Sequence, residues 1–445
     1  MIDSSKYISV IGLGKLGLPL VGALASRGFR VLGYDKDAAK LEAITKGFSP
    51  FEPGLEEYLQ KFKSQIEFTR NCQRIAETPL TYVVVPTPSL KNGSFSLKFV
   101  RNVLGQVGRA LKRKNSFHTV VVVSTVLPGD MEILKACLEK ASGKRCGTDF
   151  GLCYNPAFIA LGNVIHNFLY PDFVLIGQSD ERSGAVLENL YTNFCLNHPK
   201  IHRMNFINAE LTKISVNTFV TMKISFGNVI ARLCERLPDA DAEIVAKALG
   251  DDSRIGSRYL KGALGYGGPC FPRDNRAFIY MASQFGLKAS VASATDEIND
   301  RQLIRLEKKI KLYLKRGQTV GILGLAYKPD TNVIDSSPGM MLAERLVQQK
   351  IPVSIFDPLA MENARIALEG QGIYASTCED CVRESDVIVI INPCAEFKKL
   401  KPSDFETANH EKVLIDCWRL LDETQFGKSV KYVALGKNRN HILEE

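Results

Sequence analysis

Ten residues near the middle of the chain, Gly265-Tyr266-Gly267-Gly268-Pro269-Cys270-Phe271-Pro272-Arg273-Asp274, set a cysteine in a glycine-rich bend with an arginine and a carboxylate just beyond it. Three glycines and two prolines make this a rigid loop, and Arg273 and Asp274 begin a helical pattern running to Phe285. A thiol at a helix N-terminus beside a cation ionises more readily, and the thiolate is the nucleophile. The competing reading is a buried small hydrophobe, the ordinary fate of a cysteine outside a disulfide.

A second segment, Val10-Ile11-Gly12-Leu13-Gly14-Lys15-Leu16-Gly17, has the form of a strand ending in a phosphate turn. Gly12 allows a sharp turn, Gly14 lets backbone amides approach a pyrophosphate, and Gly17 lets the helix pack on its strand, while the helix N-terminus favours negative charge. Asp35 ends the next strand, eighteen residues past Gly17. A carboxylate there accepts both ribose hydroxyls and repels a 2'-phosphate, which points to NAD over NADP. A hydride acceptor combined with an activated thiol implies oxidation at the carbonyl level. On a long apolar-rich helix expected from about Asn208 to Leu237, the residues Glu210, Lys213 and Asn217 fall at i, i+3 and i+7 and share one face. Their neighbours Ile214, Val216, Phe219, Val220, Met222 and Ile224 make a solvated polar stripe hard to sustain, and an inward lysine and amide could stabilise an oxyanion.

These groups need a scaffold, and the hydrophobic pattern supplies one. Strands are expected at Tyr7 to Ile11, Arg30 to Tyr34, Thr81 to Val85, Thr119 to Ser124, Gly151 to Tyr154 and Asp172 to Ile176, with a helix over Leu97 to Lys112. This alternation is that of a doubly wound α/β sheet. A mainly helical middle follows, closed by a helix from about Ala292 to Leu314, and so apolar a first helix must be buried within the protein or against a second subunit. After Gln318 the α/β rhythm returns at Thr319 to Leu323, Pro352 to Phe356, Asp386 to Ile391 and Val413 to Asp416. Gly324 falls where Gly12 does, Ala326 replaces Gly14, and Asp357 ends a strand as Asp35 does, so this half reads as an imperfect repeat that binds a different nucleotide. The expected fold class is α/β: two Rossmann-like doubly wound domains, 1–205 for NAD and 316–445 for a second nucleotide, joined by a long-helix central domain, 206–315, that carries the Cys270 loop.

At 445 residues the chain exceeds one comfortable core. Its longest apolar runs, Thr119 to Val123 and Asp386 to Ile391, suit buried parallel strands and fall short of the roughly 20 residues of a membrane helix. Ile8 to Leu24 with Ala23-Leu24-Ala25 imitates a secretory signal, but Lys15 and the glycine phasing argue against one. Eleven cysteines without a regular frame favour a reducing cytoplasm. Cys378 and Cys381 form a lone C-x-x-C without further ligands, so no metal is expected. The formal charge of +9 suits phosphate-bearing small molecules, and the basic residues are too dispersed for a nucleic-acid surface.

On these motifs the chain resembles the UDP-glucose/GDP-mannose dehydrogenase family over nearly its whole length. The resemblance rests on the Gly12 fingerprint, Ser124-Thr125-Val126-Leu127-Pro128-Gly129, Asn155-Pro156-Ala157-Phe158, Glu210-Leu211-Thr212-Lys213 with Asn217, Arg254-Ile255-Gly256, the Cys270 loop, and Gly324-Leu325-Ala326-Tyr327-Lys328-Pro329-Asp330-Thr331. It implies oxidation of the C6 alcohol of a nucleotide sugar to a carboxylate with two NAD and one water, in a homodimer or larger assembly built on the long helix. UDP-glucose is the expected substrate, with GDP-mannose or a UDP-N-acetylhexosamine as alternatives. By the same resemblance Cys270 attacks the aldehyde from the first hydride transfer, and the thiohemiacetal loses a second hydride to give a thioester. Lys213 and Asn217 hold the oxyanion, Asp274 orders the lysine and a water, and Thr125 helps place the hydrolytic water. Gly12, Gly14, Leu16, Gly17, Asp35, Lys40, Thr87 and Thr125 fall to the NAD site. Phe158, Lys213, Asn217, Arg254, Tyr259, Gly265, Gly267, Tyr327 and Lys328 fall to the nucleotide sugar, Lys328 on its pyrophosphate and Arg254 reaching it from the same or a second subunit. The loop around Gly265 and Gly268 is expected to close over the sugar.

The chain departs from that pattern at Ala157, where the family carries a glutamate, and at Leu161, four positions later, where it carries a second glutamate or similar polar residue. The first change removes a candidate general base. Three readings stand: the base passes to Asp274 or a water, the enzyme stalls before hydrolysis or only binds the nucleotide sugar, or an alanine was placed at 157 to trap an intermediate, the last being favoured because the other site residues are intact. Phe173 stands where many relatives have arginine, and Cys417-Trp418 replaces a glycine-arginine pair. Trp418 either stacks on a nucleobase or caps a core.

Overall fold

The computed structural model describes residues 7–47, 52–406, 411–427 and 430–438. The chain divides into two compact units, Met1–Ser215 and Val216–Glu445.

The first unit is built on eight strands: β1 (Tyr7–Ile11), β2 (Arg30–Tyr34), β3 (Ile66–Thr69), β4 (Leu80–Val83), β5 (His118–Val122), β6 (Phe150–Tyr154), β7 (Phe173–Gln178) and β8 (Lys200–Met204). They lie in the order β3-β2-β1-β4-β5-β6-β7-β8, all parallel except for the antiparallel pairing of β6 with β7. Every residue of β4, β5 and β6 is buried. Because side chains alternate along a strand, such runs must be covered on both faces. Ile8, Val10 and Val121 pack into one core with Leu18, Val21 and Leu24 of the helix Gly17–Ser26. Ile11, Val120 and Val122 pack into another with Val100 and Leu104 of the helix Lys98–Leu111 and Leu134 of the helix Asp130–Ser142. Strand order reverses between β1 and β4, which opens a crevice at their carboxyl ends.

The second unit repeats this plan with six strands, β9 (Val320–Leu323), β10 (Val353–Phe356), β11 (Ile373–Tyr374), β12 (Val387–Ile390), β13 (Lys412–Asp416) and β14 (Val430–Ala434). All are parallel, in the order β11-β10-β9-β12-β13-β14, so the switch point lies between β9 and β12. The alternation recurs: Val320, Ile322 and Val389 enter one core, Leu323, Ile388 and Ile390 the other. Ahead of the sheet lie the helices Ala242–Asp251, Phe271–Gln284 and Ser290–Tyr313.

The boundary between the units falls inside the helix Phe206–Cys234, the long helix expected from the sequence, which stops three residues short of Leu237 because Pro238 disfavours helical backbone before it. On its second-unit portion Phe219, Phe226 and Leu233, seven residues apart, are 60%, 49% and 51% exposed. Among the described residues no helix is long and apolar enough to cross a membrane.

Candidate active site

In the first unit the three fingerprint glycines meet three different demands. Gly12 has φ +92°, and a Cβ there would collide with the carbonyl oxygen of Val84. At Gly17 a Cβ would collide with the carbonyl oxygen of Gly12, so the helix starts in direct backbone contact with the turn. A Cβ on Gly14 would meet nothing within 4 Å, so that side of the turn is open to a ligand. Leu16 occupies the N-cap of the helix Gly17–Ser26, which has neither a side-chain cap nor an acidic residue in its first turn. Its leading N–H groups thus suit an anion. Asp35 is 7% exposed; its Oδ2 accepts from Leu13 N at 3.0 Å and from Lys40 Nζ at 2.9 Å, and its Oδ1 from Asp37 N at 3.1 Å. Burial works against ionisation, but Lys40 and the two N–H groups outweigh it and hold the carboxyl below its ordinary value.

At the neighbouring strand ends Thr87 Oγ1 donates to the carbonyl of Thr125 at 2.7 Å, fixing the turn Thr125–Gly129 against β4. Glu210, fully buried, holds the other side of that turn by accepting from Gly129 N at 2.9 Å and Met131 N at 2.7 Å. Burial pushes this carboxyl up to about 7 despite those two donors. One helical turn further on, Lys213 Nζ donates to the carbonyl of Ala157 at 2.9 Å and lies 4.5 Å from the ring centroid of Phe158. Phe158 in turn packs on Phe173 at 4.7 Å. Leu161, the second departure, packs on the apolar core.

In the second unit Cys270 is exposed and stands at the N-cap of the helix Phe271–Gln284, which begins two residues earlier than the sequence pattern indicated. Pro272 lies in its first turn, where the missing N–H costs no helical hydrogen bond. Asp274, 1% exposed, accepts from Asn217 Nδ2 at 2.6 Å and from Arg273 Nε at 3.2 Å. The family resemblance implies that it orders Lys213; within this unit its partners are Asn217 and Arg273.

The bend ahead of the cysteine rests on the loop after β9. Gly268 N donates to Asp335 O at 2.9 Å, a Cβ on Gly267 would collide with Ser336 O, and one on Gly268, at φ +83°, would come within 2.5 Å of the Tyr327 ring. The Tyr327 phenol is pushed up by burial and then by the negative charge of the nearby Cys270 sulfur when ionised. Lys328 follows, half-buried, its Nζ 3.3 Å from the carbonyl of Pro329. Arg254 is engaged with Asp252 at 2.6 Å on a side chain that is 87% exposed, and Tyr259 is 50% exposed at φ +67°. Their loop is fixed by Lys223 Nζ, which donates to the carbonyls of Ile255 and Gly256. Trp418 donates its indole N–H to Ile391 O at 2.6 Å and packs on the core. Cys378 and Cys381 are buried core residues.

Known proteins resemble this chain over most of its length. Sequence models of the UDP-glucose/GDP-mannose dehydrogenase family match residues 6–195 as its NAD binding domain, 207–301 as its central domain and 321–423 as its UDP binding domain. The chain belongs to this family. It is 31% identical to the UDP-glucose 6-dehydrogenase TuaD of Bacillus subtilis (strain 168) over 440 residues, covering 97% of this chain and 93% of that protein. It is 33% identical to the GDP-mannose 6-dehydrogenase of Pseudomonas syringae pv. tomato over 410 residues, covering 88% and 92%. The solved structure of a UDP-glucose dehydrogenase from Pyrobaculum islandicum superimposes with a TM-score of 0.87 at 31% identity, covering 97% of this chain and 98% of that one.

As a member of the dehydrogenase family the chain uses NAD, and the open Gly14 turn, the uncapped helix and the buried Asp35 fit that cofactor. Three features of the site were not anticipated from the sequence: the pairing of Asn217 with Asp274, the grip of Glu210 on the Gly129 turn, and the docking of the Cys270 bend on the loop after β9. Glu210 and Asn217 left part of a signal, the helical face they share with Lys213.

Proposed function

We propose that this chain oxidises the C6 alcohol of UDP-glucose to the carboxylate in two successive two-electron steps. NAD supplies the hydride acceptor for each. Between them Cys270 Sγ forms a C–S bond to the aldehyde carbon while the carbonyl oxygen gains a proton. Oxidation of that thiohemiacetal gives a thioester; water then adds to its carbonyl carbon, the C–S bond breaks, and the acid and the thiol are released. Lys213 and Asn217 stabilise the oxyanion, with Asp274 fixing the amide of Asn217. Lys213 is held through the main chain of Ala157, a contact that does not depend on the side chain at that position. With alanine there, activation of the hydrolytic water falls to Thr125 and Asp274, and thioester hydrolysis becomes the slow step. Lys328, Tyr327, Arg254, Tyr259, Phe158, Gly265 and Gly267 serve the nucleotide sugar, and Gly12, Gly14, Leu16, Gly17, Asp35, Lys40, Thr87 and Thr125 serve NAD.

The observation that carries this reading is the docking of the Cys270 bend on the loop that bears Lys328, which ties a thiol to a nucleotide-binding turn within one unit. We include in the proposal a three-part organisation, 1–205, 206–315 and 316–445, and a homodimer formed through the exposed apolar stripe of Phe219, Phe226 and Leu233. A cytoplasmic site of action agrees with eleven cysteines of which none joins a disulfide. The test counts NADH formed per nucleotide sugar, with UDP-glucose, GDP-mannose and UDP-N-acetylhexosamines offered in parallel. The wild-type chain is expected to yield two per UDP-glucose, and Cys270→Ala none beyond the first oxidation. Two equivalents from Cys270→Ala would remove the thiol from the mechanism.

A further inference from the structure

The helix Ser290–Tyr313 also holds the cysteine bend, most directly through the side-chain amide of Asn299. Asn299 Oδ1 accepts from Tyr266 N at 2.7 Å while its Nδ2 donates to Tyr266 O at 3.1 Å. An asparagine side chain carries a donor and an acceptor in one plane, so it matches both main-chain groups of a single residue and fixes its peptide orientation on either side. The approach requires Gly265, where a Cβ would stand 2.6 Å from Asn299 Oδ1. One turn earlier on the same helix, Asp296 Oδ1 accepts from Tyr266 Oη at 2.6 Å and from Asn275 Nδ2 at 2.7 Å. Asn275 lies on the helix that starts at the cysteine. The same helix face therefore grips the chain on both sides of Cys270, at residues 266 and 275.

We propose that Asn299 is a positioning residue for the nucleophile: its two hydrogen bonds to Tyr266 set the path of the four residues that lead to Cys270, and thereby the approach of the sulfur to the aldehyde carbon. This rests on the covalent role assigned to Cys270 above. Losing the grip leaves the first oxidation intact, because that step needs no sulfur, and slows only the step that begins with C–S bond formation. A displacement of about 1 Å at a reacting atom costs roughly a hundredfold in rate.

The two half-reactions separate cleanly when the C6 aldehyde of UDP-glucose is supplied directly. Its oxidation with NAD requires the thiol, whereas its reduction with NADH to the alcohol reverses the first oxidation and does not. Asn299→Ala is expected to slow NADH formation from the aldehyde in a single turnover about 10- to 100-fold while leaving aldehyde reduction at saturating substrate within about threefold. Asn299→Asp keeps the acceptor for Tyr266 N and loses only the donor, so its defect is expected to be smaller and confined to the same direction. A general loss of structure would slow both directions together in either variant. Equal slowing of both, or no slowing, would overturn the proposal. Cys270→Ala run alongside tests the underlying assignment by itself: if it oxidises the aldehyde at the wild-type rate, the covalent role fails, whatever Asn299 does.

Discussion

The two Rossmann-like folds of this chain share a backbone frame and differ in the length of one turn. Gly12 and Gly324 have φ of +92° and +106°, and each donates its N–H at 2.9 Å to the last residue of the next strand, Tyr34 and Phe356. Val84 and Ile391 donate alike to Ile11 and Leu323, both at 2.8 Å. A Cβ on Gly339 would collide with the carbonyl oxygen of Gly324 as one on Gly17 would with that of Gly12, so Gly339 is the counterpart of Gly17. Four residues separate the first pair and fourteen the second, and the longer turn carries Tyr327, Lys328 and the Asp335 carbonyl that receives the cysteine bend. The carboxylates diverge as well. Asp35 leaves part of its capacity to the Lys40 side chain, whereas both oxygens of Asp357 are taken by the main-chain N–H groups of Leu325, Ala326, Leu359 and Ala360. On the proposed function one frame serves two purposes: a tight turn presents its own amides to a pyrophosphate, and a lengthened one is pinned by its carboxylate so that side chains do the presenting.

The equivalence of Gly17 and Gly339 is the most severe point of comparison. A methyl group at either position must push against a backbone carbonyl that cannot step aside, so Gly17→Ala and Gly339→Ala are each expected to cost about 3 kcal/mol or more, at the upper end of overpacking penalties. The losses of ligand should divide. Gly17→Ala should abolish NAD binding, and Gly339→Ala should weaken the nucleotide sugar while NAD affinity, measured by titration calorimetry on the folded fraction, stays near wild type. If Gly339→Ala weakens NAD as much as Gly17→Ala does, the two turns do not serve separate ligands.

A smaller effect isolates the lengthened turn. Lys328→Ala removes a charged donor without disturbing the frame, and a hydrogen bond to a charged group is worth about 1.5–3 kcal/mol. The KM for UDP-glucose should rise roughly ten- to a hundredfold with little change in kcat or in NAD affinity, the pattern of a contact made equally in ground and transition states. A loss confined to NAD binding would assign the lysine to the wrong nucleotide.

How much of this was legible in the sequence follows from where each signal lay. The Gly12-Gly14-Gly17 spacing announces itself because the whole turn is local, and β5 and β12 stand out because strands buried on both faces are continuous apolar runs. Gly339 was invisible because the inserted residues move it out of any recognisable spacing. The strands β3, β8, β11 and β14 lie at or towards the sheet edges with partly exposed side chains, so the apolar run that marks an inner strand is missing. The contacts around the cysteine are non-local: Asn299 meets Tyr266 across 33 residues and Asn217 meets Asp274 across 57, distances at which neither periodicity nor composition leaves a trace. The cysteine loop stands out through its local glycines and prolines, while its contacts with Asn299 and with the loop after β9 leave no local mark.

The least expected change, and the one that probes the divergent carboxylates, is in the acid limb of stability. Asp35 is held below the ordinary carboxyl value, so its folded state binds fewer protons than the unfolded chain, whose aspartates titrate near about 4. Its contribution is therefore fully present above about pH 4 and is lost as the pH falls through the lower folded value. Asp35→Asn removes that titration together with the Lys40 pair, and the urea midpoint of the variant should fall less steeply than the wild type's as the pH is lowered below about 4. The measurement also bears on the cofactor. Lys40 is 39% exposed in its side chain and can turn away when a ribose arrives, which the main-chain partners of Asp357 cannot do. Should Asp35→Asn flatten the acid limb yet bind NAD as well as the wild type, Asp35 would prove to be a structural pin like Asp357, and the two carboxylates would no longer mark a difference between the folds.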